Sequence, residues 1–107
     1  MEQGVDRMTI ESPSFGRWLV EQRTRNDPIG DLAKDAARDD GWPVDESKFE
    51  SYCRYLARRG VDFEPLEILV QAFEEYAKRN GFVRSARNEI RLVLDRAEAE
   101  NWNLTAI

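Results

Sequence analysis

At 107 residues and 12.5 kDa the chain has room for one domain, and 41% hydrophobic residues, with three Trp, three Tyr and five Phe, supply one core under a 35% charged exterior. Sixteen Lys and Arg against 21 Asp and Glu leave a net charge of −5, which repels nucleic acid and anionic membrane unless the basic residues are segregated. The single Cys excludes an internal disulfide, and the lack of any His removes the commonest general base and metal ligand.

Residues 1–13 have neither the basic region nor the apolar run of a signal peptide and read as a frayed tail. No apolar run is longer than that of Ile68-Leu69-Val70, far short of the roughly 18 residues a membrane span needs. A cytoplasmic protein is the expectation, and no membrane partner. Acidity is concentrated in the front half: residues 1–47 hold six basic and eleven acidic side chains, residues 48–107 ten of each.

Ser14 precedes Phe15, Trp18, Leu19 and Gln22, a capping hydroxyl before an apolar set at helical spacing, which predicts a first helix over about 15–24. Asp27-Pro28 caps and opens a second over about 28–40, with Ile29, Leu32, Ala33 and Ala36 on one face and Asp39-Asp40-Gly41 as its end. Trp42-Pro43 then forces an extended link. A third helix is expected from an Asp45 cap, with Phe49, Tyr52, Cys53 and Leu56 buried and Gly60 as its stop. Glu64-Pro65 opens a fourth, the most apolar and central, whose stripe is Leu66, Leu69, Val70, Phe73, Tyr76 and Ala77 and whose end is Lys78-Arg79-Asn80-Gly81. The fifth, about 83–101, gathers Val83, Ala86, Ile90, Val93, Leu94 and Ala97 into roughly a third of the helical wheel. Trp102 is expected to staple its end. No segment alternates with period two, so the fold class is all-α, a compact bundle of about five helices.

Residues 14 to about 78 resemble a family of small bacterial proteins named after YozE, with a SAM-like (sterile alpha motif-like) fold. The resemblance is carried by Ser14-Phe15 with Trp18-Leu19, by Asp27-Pro28-Ile29-Gly30-Asp31-Leu32-Ala33 running to Asp39-Asp40, by Trp42-Pro43, by Tyr52 to Leu56, and by Leu66 to Tyr76. It implies a SAM-like helical module over the first four helices, without established catalytic activity. The chain then divides into a tail (1–13), the module (14–78) and an additional C-terminal helix packed on it (79–107).

Asp31, Asp35 and Asp39 line one helical face, but Lys34 and Arg38 follow the first two at i+3, and no calcium-loop pattern surrounds them. A solvated face is the expectation, not a metal site. Cys53 lies on an apolar stripe without a base beside it and is expected to act as a small buried hydrophobe. Trp42 stands in a link between helices and is expected to be buried over the core edge. In the fifth helix Arg84, Arg87 and Arg91 precede Asp95, Glu98 and Glu100, opposing the macrodipole, with Arg91–Asp95 and Arg91–Glu98 spacing offering partial compensation. With Arg54, Arg58, Arg59, Lys78 and Arg79 they form a candidate basic patch.

The expectation is a non-enzymatic interaction module, with no cofactor, metal or small-molecule substrate. It takes a protein partner or self-associates through Arg84, Arg87, Arg91 and Arg58, with Asp31, Asp35 and Asp39 as the opposed surface. Two alternatives stay open: nucleic-acid binding through the basic patch, and an acidic inhibitor of a nucleic-acid-acting enzyme that presents carboxylates where phosphates would lie.

Overall fold

The computed structural model describes residues 13–58 and 63–100. They form α1 (Phe15–Glu21) with a 3-10 extension (Gln22–Thr24), α2 (Pro28–Arg38), α3 (Phe49–Arg58), α4 (Phe63–Asn80) and α5 (Val83–Ala99), with no strand among them. The all-α class read from the sequence is the one observed. α4 packs against all four other helices, with α2 and α1 meeting it and one another and α3 and α5 doing the same.

Local chemistry sets most of the boundaries. The Ser14 hydroxyl accepts from the Arg17 N–H at 3.2 Å and the Asp27 carboxylate accepts from Gly30 N–H at 2.8 Å, so each satisfies a donor that the helix itself leaves open. α2 ends at Arg38, short of Asp40, because Asp39 turns extended and its carboxylate accepts from Gly41 N–H at 2.9 Å. Gly81, at φ +81°, turns the chain out of α4 while Phe82 N–H donates to the Ala77 carbonyl at 3.0 Å, a left-handed glycine stop.

The Asp45 cap is corrected: α3 begins at Phe49, and the Asp45 carboxylate instead pairs with Arg17 at 2.7 Å. The intervening carbonyls explain the delay. The Glu46 carbonyl, which a helix begun at Asp45 would turn inward, accepts from Gly16 N–H at 3.2 Å and lies 2.6 Å from the Tyr52 hydroxyl. The Gly60 stop and the Trp102 staple lie outside the described residues.

The core is aromatic. Phe15 is fully buried with ring centroids 5.0 Å from Tyr52, 5.2 Å from Phe73, 5.4 Å from Tyr76 and 5.9 Å from Trp18, which joins α1, α3 and α4 through one side chain. Such pairs add about 0.5–1.5 kcal/mol each beyond the area they bury. Trp42 is buried as expected, its indole N–H donating to the Gly16 carbonyl at 3.2 Å and its ring lying 4.9 Å from Tyr52 and 5.4 Å from Tyr55. α5 adds Ala86, Ile90, Val93 and Ala97 to the same core, while Val83 and Leu94 of its stripe are only half-buried.

A side chain on Gly16 would overlap the Pro43 carbonyl oxygen and the Tyr52 hydroxyl, and the first of these is backbone that cannot swing aside. Gly16→Ala is therefore expected to cost about 2–3 kcal/mol, read as a lower midpoint of urea unfolding followed by circular dichroism.

Candidate functional site

α5 is tied to the rest of the molecule along one flank. The residue before α3 is Lys48, which has no acceptor to cap it, and the open Phe49 N–H donates instead to Glu89 of α5 at 2.7 Å. Next to it Glu50 takes Arg54 of its own helix at 2.9 Å and Arg96 of α5 at 2.8 Å. Arg54 first and Arg96 with it hold the Glu50 carboxyl below its ordinary range. A second cross-link joins the 3-10 extension to α4, where Arg25 reaches Glu75 at 2.6 Å and Asp27 at 2.7 Å. The Gly30 N–H first, then Arg25, hold the Asp27 carboxyl low.

The other flank of α5 is treated differently. Arg84, Arg87 and Arg91 are exposed and join no ion pair among the described residues, whereas Arg17, Arg25, Arg38, Arg54 and Arg96 each hold a carboxylate. The compensation expected from Arg91–Asp95 and Arg91–Glu98 spacing does not form as an ion pair. The helix start adds to the positive potential, because Phe82 at the cap position offers no side-chain acceptor and the first turn holds no acid. Lys78 and Arg79, exposed in the last turn of α4, stand just across the Gly81 turn.

Arg58 is exposed in the last turn of α3. It lies nine residues, about 13 Å of helix, beyond the Phe49 contact with α5. The acidic row is engaged locally: Asp31 meets Lys34 at 3.7 Å, Asp35 meets Arg38 at 3.4 Å, and Asp39 serves the Gly41 turn. α2, which carries this row, does not touch α5. Among the described residues no group of three or more acidic or Cys side chains is arranged to hold a metal ion. Cys53 is buried, and burial pushes its thiol up to about 12. Of the adjacent Glu74 and Glu75, the second is committed to Arg25.

A family model described as the YozE SAM-like fold matches residues 14–78. The chain belongs to the YozE SAM-like family. No curated protein and no solved structure matches it. The matched positions now have physical roles, with Ser14 capping α1, Phe15 and Trp18 in the aromatic core, Asp27 capping α2, and Trp42 and Tyr52 closing the link over Gly16. The match stops two residues before the end of α4, so all of α5 lies beyond it. No helix among the described residues is long and apolar enough to cross a membrane.

Glu89 was not legible as a cap, although its position on the shoulder of the α5 stripe and the unsuitable Lys48 before α3 are the signals that mark it. Glu89→Ala is expected to cost about 1 kcal/mol by leaving Phe49 N–H open, and Glu89→Gln, which keeps an acceptor oxygen, to lose less in the same urea titration. Asp27 and Glu50 have ordinary values of 3.8 and 4.5 and lower ones when folded, so their stabilisation is present above those values and is lost as the pH falls through the folded ones. The urea midpoint is expected to hold from neutral pH down to about pH 5 and to fall below about pH 4.

Proposed function

We propose that the protein is a non-enzymatic helical interaction module whose exposed arginines Arg84, Arg87 and Arg91 receive an acidic protein surface. The observation that carries this reading is that Arg84, Arg87 and Arg91 share one exposed face of α5 and hold no carboxylate among the described residues, whereas five other arginines do and the similarly unpaired Arg23, Arg58 and Arg79 stand on other elements. Guanidinium groups free of internal partners keep all their donors for a bidentate carboxylate contact. Arg58, exposed at the far end of α3, is a separate cation that the same kind of partner would have to reach across about 13 Å of helix. Asp31, Asp35 and Asp39 form the opposed acidic surface on α2, although each already serves a neighbour on its own segment. Membership of a small helical SAM-like family conflicts with nothing in this reading.

Nucleic acid is the second reading, since free arginines suit phosphate as well as carboxylate, while the net charge of −5 argues against it. The inhibitor reading would use the acidic front half, and the local engagement of the α2 carboxylates weakens it. The experiment is capture from cell lysate with wild-type bait and with an Arg87→Glu, Arg91→Glu bait, each with and without nuclease. A protein retained through nuclease by the wild type and lost from the variant is the expected result. Retention by both baits would overturn the arginine face, and retention that nuclease abolishes would replace protein with nucleic acid as the partner.

A further inference from the structure

The exposed strip of α5 changes sign half-way along. At 100° per residue Arg84, Arg87, Arg91, Asp95 and Glu98 fall within an arc of about 80°, with the three cations toward the helix start and the two anions toward its end. Within the chain this arrangement is unfavourable at every neighbouring pair except Arg91–Asp95. Arg84 and Arg87 at i,i+3, Arg87 and Arg91 at i,i+4, and Asp95 and Glu98 at i,i+3 are like-charge neighbours, the macrodipole opposes both ends, and among the described residues no ion pair joins the two signs. Beside the strip lies an apolar groove of about 320 Å³ between α5 and α4, lined by Leu66, Glu67, Val70, Gln71 and Leu94.

Such a strip is complementary to itself in reverse. If two copies of α5 meet antiparallel about a two-fold axis opposite residue 93, Arg91 and Asp95 of the second copy are each two residues from the axis. Arg87 is six residues from it and Glu98 of the second copy five. At about 1.5 Å per residue the first pair is level and the second is offset by about 1.5 Å, within reach of long side chains. Two-fold symmetry makes every pair twice. Leu94, one residue from the axis and at the edge of the strip, brings the apolar groove to the middle of the contact.

We propose that the acidic surface received by Arg87 and Arg91 is that of a second copy of this chain, joined through an antiparallel α5–α5 contact with Arg91–Asp95 and Arg87–Glu98 pairs around a Leu94 centre. This rests on the reading of the arginine strip as a partner-binding face, and it supplies the acidic residues from the same strip. The alternative of Asp31, Asp35 and Asp39 as the opposed surface would give a head-to-tail contact, which does not close by itself.

Sedimentation velocity on the full chain tests it, at about 50 mM and about 500 mM salt, because exposed pairs weaken as the Debye length shortens. The expected result is a dimer at low salt that dissociates at high salt. Arg91→Glu alone and Asp95→Arg alone are each expected to weaken dimerisation at least about tenfold, since each reversal counts twice. The double variant, with both reversed, is expected to restore it, because the signs are exchanged but still opposite across the axis. Both sites are exposed, and an unchanged helical circular dichroism spectrum confirms that the fold is intact. A monomeric wild type, a dimer indifferent to Arg91→Glu, or a double variant that stays monomeric would overturn the proposal. Those outcomes leave the broader reading to its own test: an external acidic partner would still be captured by wild-type bait, and it would not be recovered by the double variant.

Discussion

The structure depends on how closely α1 approaches the link between α2 and α3. Gly16 allows the Pro43 carbonyl and the Tyr52 hydroxyl to come within the space a side chain would fill, and its own N–H and C=O are taken by the Glu46 carbonyl and the Trp42 indole. The backbone polar groups of the link are thereby satisfied without regular secondary structure, which buried backbone requires. From this contact follow the burial of Trp42, the position of Tyr52 against Phe15, and the late start of α3. Burial, the largest cause, together with the nearby Glu46 charge, raises the Tyr52 hydroxyl, so that it stays protonated. Trp42 and Pro43, inside the span that the family model matches, are among the residues that make this one approach work.

Whatever was periodic or local in the sequence was legible. The stripes of all five helices, the caps at Ser14 and Asp27, the glycine stop at Gly81, and the burial of Cys53 and Trp42 follow from spacing and turn chemistry that act over a few residues. The misreading at Asp45 has the same origin. An Asp four residues ahead of an apolar stripe is a reasonable cap until the Glu46 carbonyl is claimed by Gly16, thirty residues away in sequence. Glu89 capping α3 and Glu75 holding Arg25 were hidden for the same reason, since each joins residues 40 or 50 positions apart.

The candidate site was legible only as composition. Sequence shows that Arg84, Arg87 and Arg91 share a face and oppose the helix dipole, but it does not show which arginines find carboxylates inside the fold. That selection is tertiary. Arg54 and Arg96 converge on Glu50 because α3 and α5 meet there, and Arg25 finds Glu75 because α2 brings the preceding turn against α4. The arginines left over could be identified only once the others had been placed.

α5 presents two different flanks, one used by the fold and one free of it. Toward the core it offers Ala86, Ile90, Val93 and Ala97, all buried, and on the α3 side it supplies Glu89 and Arg96 to groups that need them. Nothing on that side depends on the sign of residues 84, 87, 91, 95 or 98. A strip under no constraint from folding would stabilise the helix best with acids first and bases last, at a few tenths of a kcal/mol per charge. The observed order is the reverse, and it runs through five consecutive positions of one face. A small electrostatic cost repeated in one direction, on the helix that lies beyond the family match, has no counterpart in the fold that carries it, and the proposed contact with a second copy would offset it.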